Sequence, residues 1–322
     1  MLKDIVFVGY VILGRLLITS AMGVHFVKQL IPLSIRKKIF KFLIILKKVP
    51  ETIRFLCAKE KILLNVWIRL SNNKLEHFNL GDELNFYIIK AFSNKPIFNL
   101  PCILCKGHEN IMFIGSIIET HTNKNSIIWG SGAMYGGDRN LNEHPKRVLA
   151  VRGPLTRKYL LSQGIDCPEI YGDPALLLPR LYKPQRNVKY KLGVIPHYID
   201  SENEYLSELK KDNEVKIISL SGYEHWHNVI DEICQCDFIV SSSLHGLIIS
   251  DAYGIPNMWI KLSNNISGGD FKYHDYFMSV NRTISKAFVI NHHISKEELV
   301  KYKEQYQPII LNMEKFLEVS PF

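Results

Sequence analysis

The sequence has no uninterrupted apolar run of about 20 residues, so a membrane-spanning helix is not expected. Ile5 to Leu13 is apolar apart from Gly9 and Tyr10, but Arg15 ends that run, and Thr19, Ser20 and His25 dilute Leu16 to Val27. No small-residue cleavage site in a secretory context stands out. Cysteine is scarce, six in 322 residues, which argues against a disulfide framework in a chain this long. Cys102 and Cys105 form a CxxC and Cys234 and Cys236 a CxC, but a zinc site needs two such pairs to converge and nothing around them resembles a knuckle. Reduced thiols in a cytoplasmic protein, without a metal, are the expectation. Glycine (19) and proline (14) are too few for a fibrous or low-complexity chain.

Acidic residues are nearly missing from the first fifty positions, where nine Lys/Arg face only Asp4, a charge of +8. The whole chain carries +9, so the rest is almost neutral and the basic balance does not argue for nucleic acid. From Ser34 to Lys48, Ile35, Ile39, Phe42, Leu43 and Leu46 recur at helical spacing between basic residues, while Ile44 and Ile45 interrupt the amphipathic face. Two readings fit: a peripheral anchor on an anionic membrane, or a basic hairpin packed on its own domain.

Beyond about residue 76 the chain repeats a short apolar strand, a turn and a helix. Ser126 to Trp129 leads to Gly130-Ser131-Gly132, and Arg147 to Val151 to Arg152-Gly153-Pro154, with Pro154 suited to a helix start and Gly164 to its end. Lys191 to Ile195 leads to Pro196-His197, Val215 to Leu220 precedes a helix at Trp226 to Cys234, and Asp237 to Val240 enters Ser241-Ser242-Ser243-Leu244-His245-Gly246. The alternation predicts α/β architecture: two Rossmann-like, doubly wound domains facing a cleft, behind a basic, mainly helical N-terminal segment. The expected division is residues 1–70, 71–182 and 183–322, with a hinge in the Pro-rich basic stretch from Pro179 to Lys191 and a C-terminal helix, Ile294 to Phe322, that crosses back onto the first domain.

Ligands of open α/β sheets lie beyond the carboxyl ends of the strands. That rule brings Gly130, Arg152, Asp173, His197 and the Ser241 to His245 turn to the cleft. The turn offers hydroxyls and free backbone N–H groups at a helix N-terminus, a natural anion site, with His245 placed as a general acid. Arg152 needs either an anion or an internal carboxylate partner. Asp173 is a cap or a base. Gly130 and Gly132 let backbone approach a ligand, although the next glycine, Gly136, is out of step with a dinucleotide fingerprint. In Asn79 to Asn85, Asp82 suits an N-cap, and Asp82, Glu83 and Asn85 can also present hydroxyl-binding groups to a sugar.

Asn79 to Asn85, Trp129-Gly130-Ser131-Gly132, Val151-Arg152-Gly153-Pro154, Gly172-Asp173-Pro174 and Ser242-Ser243-Leu244-His245-Gly246 with Gly254-Ile255-Pro256 occur in an order that resembles the polysaccharide pyruvyl transferase family, over about residues 76 to 262. The resemblance implies a GT-B-like fold and transfer of the carboxyvinyl unit of phosphoenolpyruvate to a sugar, as a ketal bridging two hydroxyls. Phosphoenolpyruvate is then a co-substrate, with no further cofactor. Donor-binding residues implied are Arg152, Ser241, Ser242, Ser243, Leu244, Gly246, Gly130 and Gly132. His245, Asp173 and His197 are the catalytic candidates, and Asp82, Glu83 and Asn85 face the acceptor. The family often has arginine two residues before the motif histidine; Ser243 stands there. A nucleotide-sugar-dependent GT-B glycosyltransferase is the rival reading, and a non-catalytic glycan-assembly protein the third. Acceptors implied are surface polysaccharides or their lipid-linked precursors, at the inner face of the cytoplasmic membrane.

Overall fold

The computed structural model describes residues 32–322 other than 69, 72, 73, 138 and 285. The chain divides into two units, Met1–Arg54 and Phe55–Phe322. Of the expected N-terminal segment, residues 1–31 lie outside the described residues. The remainder of the first unit is the helix α1 (Leu33–Cys57), whose last three residues belong to the second unit. It is longer than the Ser34 to Lys48 periodicity predicts and carries Pro50 inside, where the proline nitrogen leaves the Leu46 carbonyl without its helical donor. No described helix is long and apolar enough to cross a membrane.

In the second unit the elements follow as β1 (Ile62–Leu64), the hairpin β2 (Leu70–Ser71) and β3 (Lys74–Leu75), α2 (Leu80–Phe92), β4 (Ile97–Asn99), β5 (Asn110–Met112), α3 (Ile118–His121), β6 (Ser126–Trp129), β7 (Arg147–Ala150), α4 (Pro154–Ser162) and α5 (Leu178–Leu181). Then come β8 (Leu192–Ile195), β9 (Val215–Ile217), α6 (Trp226–Cys234), β10 (Ile239–Ser241), α7 (Leu244–Ala252), β11 (Asn257–Lys261), α8 (Phe271–Ser279), β12 (Phe288–Val289), α9 (Lys296–Val300) and α10 (Glu314–Glu318). Two five-stranded sheets result, ordered β4-β1-β5-β6-β7 and β12-β11-β10-β8-β9, with every pairing parallel. Both are flanked by helices, which is why β1, β6 and β8 are short apolar runs buried along their whole length. This is a GT-B-like arrangement of two parallel sheets. In the second sheet the chain steps from β8 outward to β9 and returns on the other side of β8 as β10, so the loops after β8 and β10 diverge at a topological switch point.

One of the expected boundaries changes. Strand β1 pairs with both β4 and β5, so residues from 62 onward belong to the first sheet and not to an N-terminal segment ending at 70. The two sheets also share one apolar core: Leu84, Ile88 and Leu177 of the first half and Ile195, Leu244 and Ile248 of the second lie in a single buried cluster. The junction expected to be an open cleft hinged at Pro179 to Lys191 is therefore largely packed. The C-terminal stretch is not one helix. Between α9 and α10 the chain runs extended past Pro308, held by Ile310 N–H on Val280 O (3.0 Å) and Arg282 Nε on Gln307 O (2.8 Å). Helix α10 then returns to the first sheet, where Phe316 stacks on Trp129 (centroids 4.9 Å apart) and its carbonyl accepts the indole N–H at 2.9 Å.

Candidate functional site

The turn from β10 into α7 is built by its own serines. Ser241 Oγ accepts the Ser243 N–H (3.0 Å) and lies 2.9 Å from Ile195 O. Ser242 Oγ accepts the His197 N–H (2.9 Å), tying the two loops of the switch point together, while the Tyr273 hydroxyl donates to Ser242 O (2.6 Å). Gly246 has no side chain because a Cβ there would lie 2.3 Å from Ser241 Oγ. The Leu244 side chain is in the core. Of the residues assigned to the donor in this turn, Ser241, Ser242, Leu244 and Gly246 thus shape it from behind. Ser243 alone keeps a side chain that makes no capping bond, at the positive end of a nine-residue helix.

His245 follows in the first turn of α7. Its ring lies against Gly81 in the first turn of α2, so close that a Cβ on residue 81 would sit 2.0 Å from Nδ1. Nε2 is buried and has no hydrogen-bond partner. Burial first, then the charges of Arg152 and Lys272, lowers its pKa to about 3, so the protein alone holds His245 as the neutral imidazole at neutral pH.

Lys272, which motif reading missed, is the nearby cation without a carboxylate in hydrogen-bond contact. It is 9% exposed, and its ammonium lies 3.4 Å from Ser267 O and 5.4 Å from the centre of the Tyr273 ring. Burial first, then Arg152, lowers its pKa to about 8, while Asp82 works the other way. A signal was present: Lys272, Asp275, Tyr276 and Ser279 follow i, i+3, i+4, i+7 spacing and are all buried, so the lysine lies on the inward stripe of α8.

Asp82 faces this positive region from α2. It is not the N-cap; Asn79 is, accepting the Gly81 N–H (3.2 Å) and donating to Asp82 Oδ2 (2.7 Å). Burial raises the Asp82 pKa to about 7, against the pull of Asn79 and Lys272. Its neighbours are already engaged. Glu83 accepts the Phe78 N–H (3.1 Å) and the Tyr223 hydroxyl and pairs with His77 Nδ1 at 3.0 Å. Asn85 donates to Asp82 O and Ile114 O and accepts the Ile114 N–H at 2.8 Å. Glu83 thus fastens the two halves and Asn85 holds the end of β5, which leaves neither free to grip an acceptor.

Arg152 has an internal partner. At 1% exposure it donates from Nε to Asp275 Oδ2 (3.0 Å), from Nη1 to Ser116 Oγ and from Nη2 to Ala133 O (2.7 Å). Asp275 also receives the Thr156 N–H and hydroxyl. Arg152 is therefore a joint between α8 and the start of α4, and it reaches the site through its field alone. Gly132 exists for it, since a Cβ there would sit 2.2 Å from the guanidinium carbon, and Gly130 for Pro174, 2.5 Å from the same imagined atom. Neither glycine opens toward a ligand. Asp173 caps the 3-10 turn Pro174–Leu177 through the Ala175 N–H (3.0 Å), and burial raises its pKa to about 6. His197 Nδ1 accepts the Ile199 N–H (3.3 Å), and burial aided by Lys272 lowers its pKa to about 4.

Of the sequence candidates, His245, His197, Asp82 and Arg152 lie within electrostatic reach of Lys272, and Ser243 stands at the N-cap of the helix that carries His245. Two cations, two neutral imidazoles and a helix N-terminus make a positive site with one titratable carboxyl. Among the described residues no cluster has the composition of a metal site.

A family model described as polysaccharide pyruvyl transferase matches residues 36–264. It begins inside α1, so the match takes in part of the basic segment that the motifs leave outside. An uncharacterized protein L143 of Acanthamoeba polyphaga mimivirus is 29% identical over 203 residues, covering 62% of this chain and 69% of that protein. The succinoglycan biosynthesis protein ExoV of Rhizobium meliloti is 28% identical over 220 residues, covering 65% of this chain and 63% of that protein, just under two-thirds of its length. No solved structure matches.

Proposed function

Because the chain belongs to the polysaccharide pyruvyl transferase family, an enzyme family, we propose that it moves the pyruvyl unit of phosphoenolpyruvate onto two hydroxyls of a sugar in a surface polysaccharide or its lipid-linked precursor. The observation that carries this reading is the unpartnered, buried Nε2 of His245 in a site whose lysine has no carboxylate in hydrogen-bond contact. Such a pair lacks an anionic ligand.

In this reading Lys272, Ser243 and the first-turn N–H groups of α7 hold the donor's phosphate or carboxylate, the task that the family's arginine at position 243 would share. The charge of the bound anion offsets the burial and the positive field that keep His245 neutral, so the imidazole takes up a proton and can deliver it to the donor's C3. Asp82, with its pKa at about 7, removes the proton of the attacking hydroxyl as its oxygen bonds to C2. The double-bond electrons pass to C3, which becomes the methyl carbon. A second hydroxyl then closes the ketal: its oxygen bonds to C2, its proton passes to the His245 imidazole left neutral by the first step, and phosphate departs with the C2–O electron pair. The helix terminus and Lys272 stabilise the charge that develops on the phosphate. His197 borders the site as a second base candidate, and Asp173 keeps its capping role.

Purified protein incubated with phosphoenolpyruvate or nucleotide sugars, with and without glycan acceptors, divides the readings. Acceptor-dependent phosphate release together with a pyruvylated product supports this one. Nucleotide release would replace it with a glycosyltransferase, and silence with every donor would favour a non-catalytic role.

The same proposal gives α1 a task at the inner face of the cytoplasmic membrane. Leu33, Ile35, Phe40, Leu43, Ile45 and Leu46 are all more than 40% exposed, interleaved with Lys37, Lys38, Lys41, Lys47 and Lys48. Exposed apolar area combined with basic side chains suits an anionic bilayer surface, where each lysine contributes about 1 kcal/mol. Deleting residues 1–50 should abolish co-sedimentation with phosphatidylserine vesicles; retained binding would assign membrane contact to another surface.

A further inference from the structure

A pocket of about 300 Å³ opens beyond the carboxyl ends of β8 and β9, walled by Pro196, Tyr198, Glu202, Lys210, Ser219 and Leu220 among others. No residue assigned above to the transfer reaction lines it. We propose that it is the acceptor subsite, and that it seats one pyranose ring of a neutral glycan so that the hydroxyls to be bridged extend to His245 and Asp82. The inference rests on the pyruvyl transferase reading for its reaction but not for its ligand class.

Position comes first. Leu220, in the wall, accepts the Leu80 N–H through its carbonyl at 2.8 Å. The next residue, Gly81, is the one that His245 abuts, and Asp82 follows. Ser221 binds the Phe78 carbonyl through its hydroxyl, so the same wall is pinned to the segment entering α2. On the opposite side, Pro196 and Tyr198 flank His197, whose backbone N–H is tied to Ser242. The pocket therefore adjoins the reacting groups through both of its walls.

Its chemistry selects a sugar. Tyr198 is 43% exposed, yet its ring is steadied by Phe78 (centroids 4.8 Å apart) and His197 (4.3 Å). A fixed, open aromatic surface is what the C–H face of a pyranose stacks on, and the Glu202 carboxylate in the wall supplies acceptors for its rim. This combination of apolar lining and a few polar groups marks small-molecule sites, whose volumes run from about 300 to 1,000 Å³. The observed volume is at the lower end, the scale of one ring rather than a sugar nucleotide. Charge points the same way: Lys210 lies 3.5 Å from the Glu202 carboxylate, so this wall offers a diphosphate a paired cation and not a free one. The need for such a subsite is independent of these features, because Glu83 and Asn85 are tied up within the fold.

The test uses the full-length protein and two variants, Tyr198→Ala and the pocket-filling Ser219→Trp, with folding checked by thermal unfolding. Saturation-transfer NMR with the methyl glycosides of glucose, galactose, mannose and N-acetylglucosamine reads binding without phosphoenolpyruvate; steady-state assays read KM for acceptor and donor separately. Expected is loss of glycoside signal in Ser219→Trp and an acceptor KM raised about tenfold or more in Tyr198→Ala, which corresponds to about 1.4 kcal/mol, with the donor KM unchanged. Glycoside binding that Ser219→Trp removes, in a protein that does not turn over phosphoenolpyruvate, leaves the subsite standing and overturns the reaction. Pyruvyl transfer with wild-type acceptor KM in both variants overturns the subsite and leaves the reaction. Absence of any glycoside signal, or its displacement by uridine monophosphate, also overturns the subsite.

Discussion

Replacing Lys272 by methionine should make the protein more stable and worse at its task, and both magnitudes can be worked out. The lysine keeps a pKa of about 8 in the fold against 10.5 for the ordinary side chain. At about 1.4 kcal/mol per unit, the buried charge costs about 3 kcal/mol at neutral pH. Because the folded pKa is depressed and the group is a cation, this cost is fully present below about pH 8. It fades as pH climbs toward 10.5, since the unfolded chain then binds more protons than the folded one and stability rises with pH. Methionine retains length and apolar contact without the charge, so denaturant unfolding at pH 7 should show Lys272→Met more stable by up to about 3 kcal/mol. The advantage should shrink between pH 8 and 10.5. In the same variant a hydrogen bond to a charged ligand is lost, about 1.5–3 kcal/mol, so KM for phosphoenolpyruvate should rise by roughly 10- to 150-fold. Destabilisation at pH 7, or an unchanged donor KM, would refute the assignment of Lys272 as a buried cation awaiting an anion.

Asp82→Asn should remove the limb of the pH–rate profile that rises through about pH 7 in the wild type; persistence of that limb moves the base to another residue. The same variant should gain stability relative to the wild type as pH rises from 3.8 to about 7, because a raised carboxyl pKa favours the folded state only while the group is protonated. Gly81→Ala drives a methyl group into the His245 ring, and overpacking of this kind costs about 1–3 kcal/mol; transfer activity should fall further than stability, measured side by side. Asp275→Ala leaves Arg152 buried without its carboxylate, a loss of about 3–5 kcal/mol that thermal unfolding should register as a large drop in Tm.

Local grammar made the frame legible. Strand β6 and helix α6 fall on Ser126–Trp129 and Trp226–Cys234 as their apolar runs and turn residues predict, because parallel strands buried on both faces need continuous apolar runs. The elements that carry the candidate residues were legible in part: His245 falls in the first turn of α7 and Asp82 in that of α2, but their charge states come from burial and from Lys272, which sits 27 positions after the histidine. Arg152 and Asp275 are 123 residues apart, and only the packed fold reveals that the arginine already has its anion. Glycines 130 and 132 mislead for a related reason: close approach of backbone is required, but the approaching groups are Pro174 and Arg152. The boundary set at residue 70 failed because three residues, Ile62–Leu64, make too short a run to distinguish a central strand from a linker.

The aromatic stack of Trp129 on Phe316 also bears on how the protein is made. The two residues are 187 positions apart, yet the indole sits fully buried in the first sheet with the phenylalanine as a cover. A ribosome adds residues at about 5–20 per second, so roughly 10–40 s separate the emergence of the two partners. During that interval the first sheet carries a tryptophan without this cover and an unpaired indole N–H. Phe113 already stacks on the ring at 4.7 Å, so what the last turn of chain adds is the second cover and the acceptor for the indole N–H; truncation before Phe316 should therefore lower the stability of the distant first sheet, read by thermal unfolding.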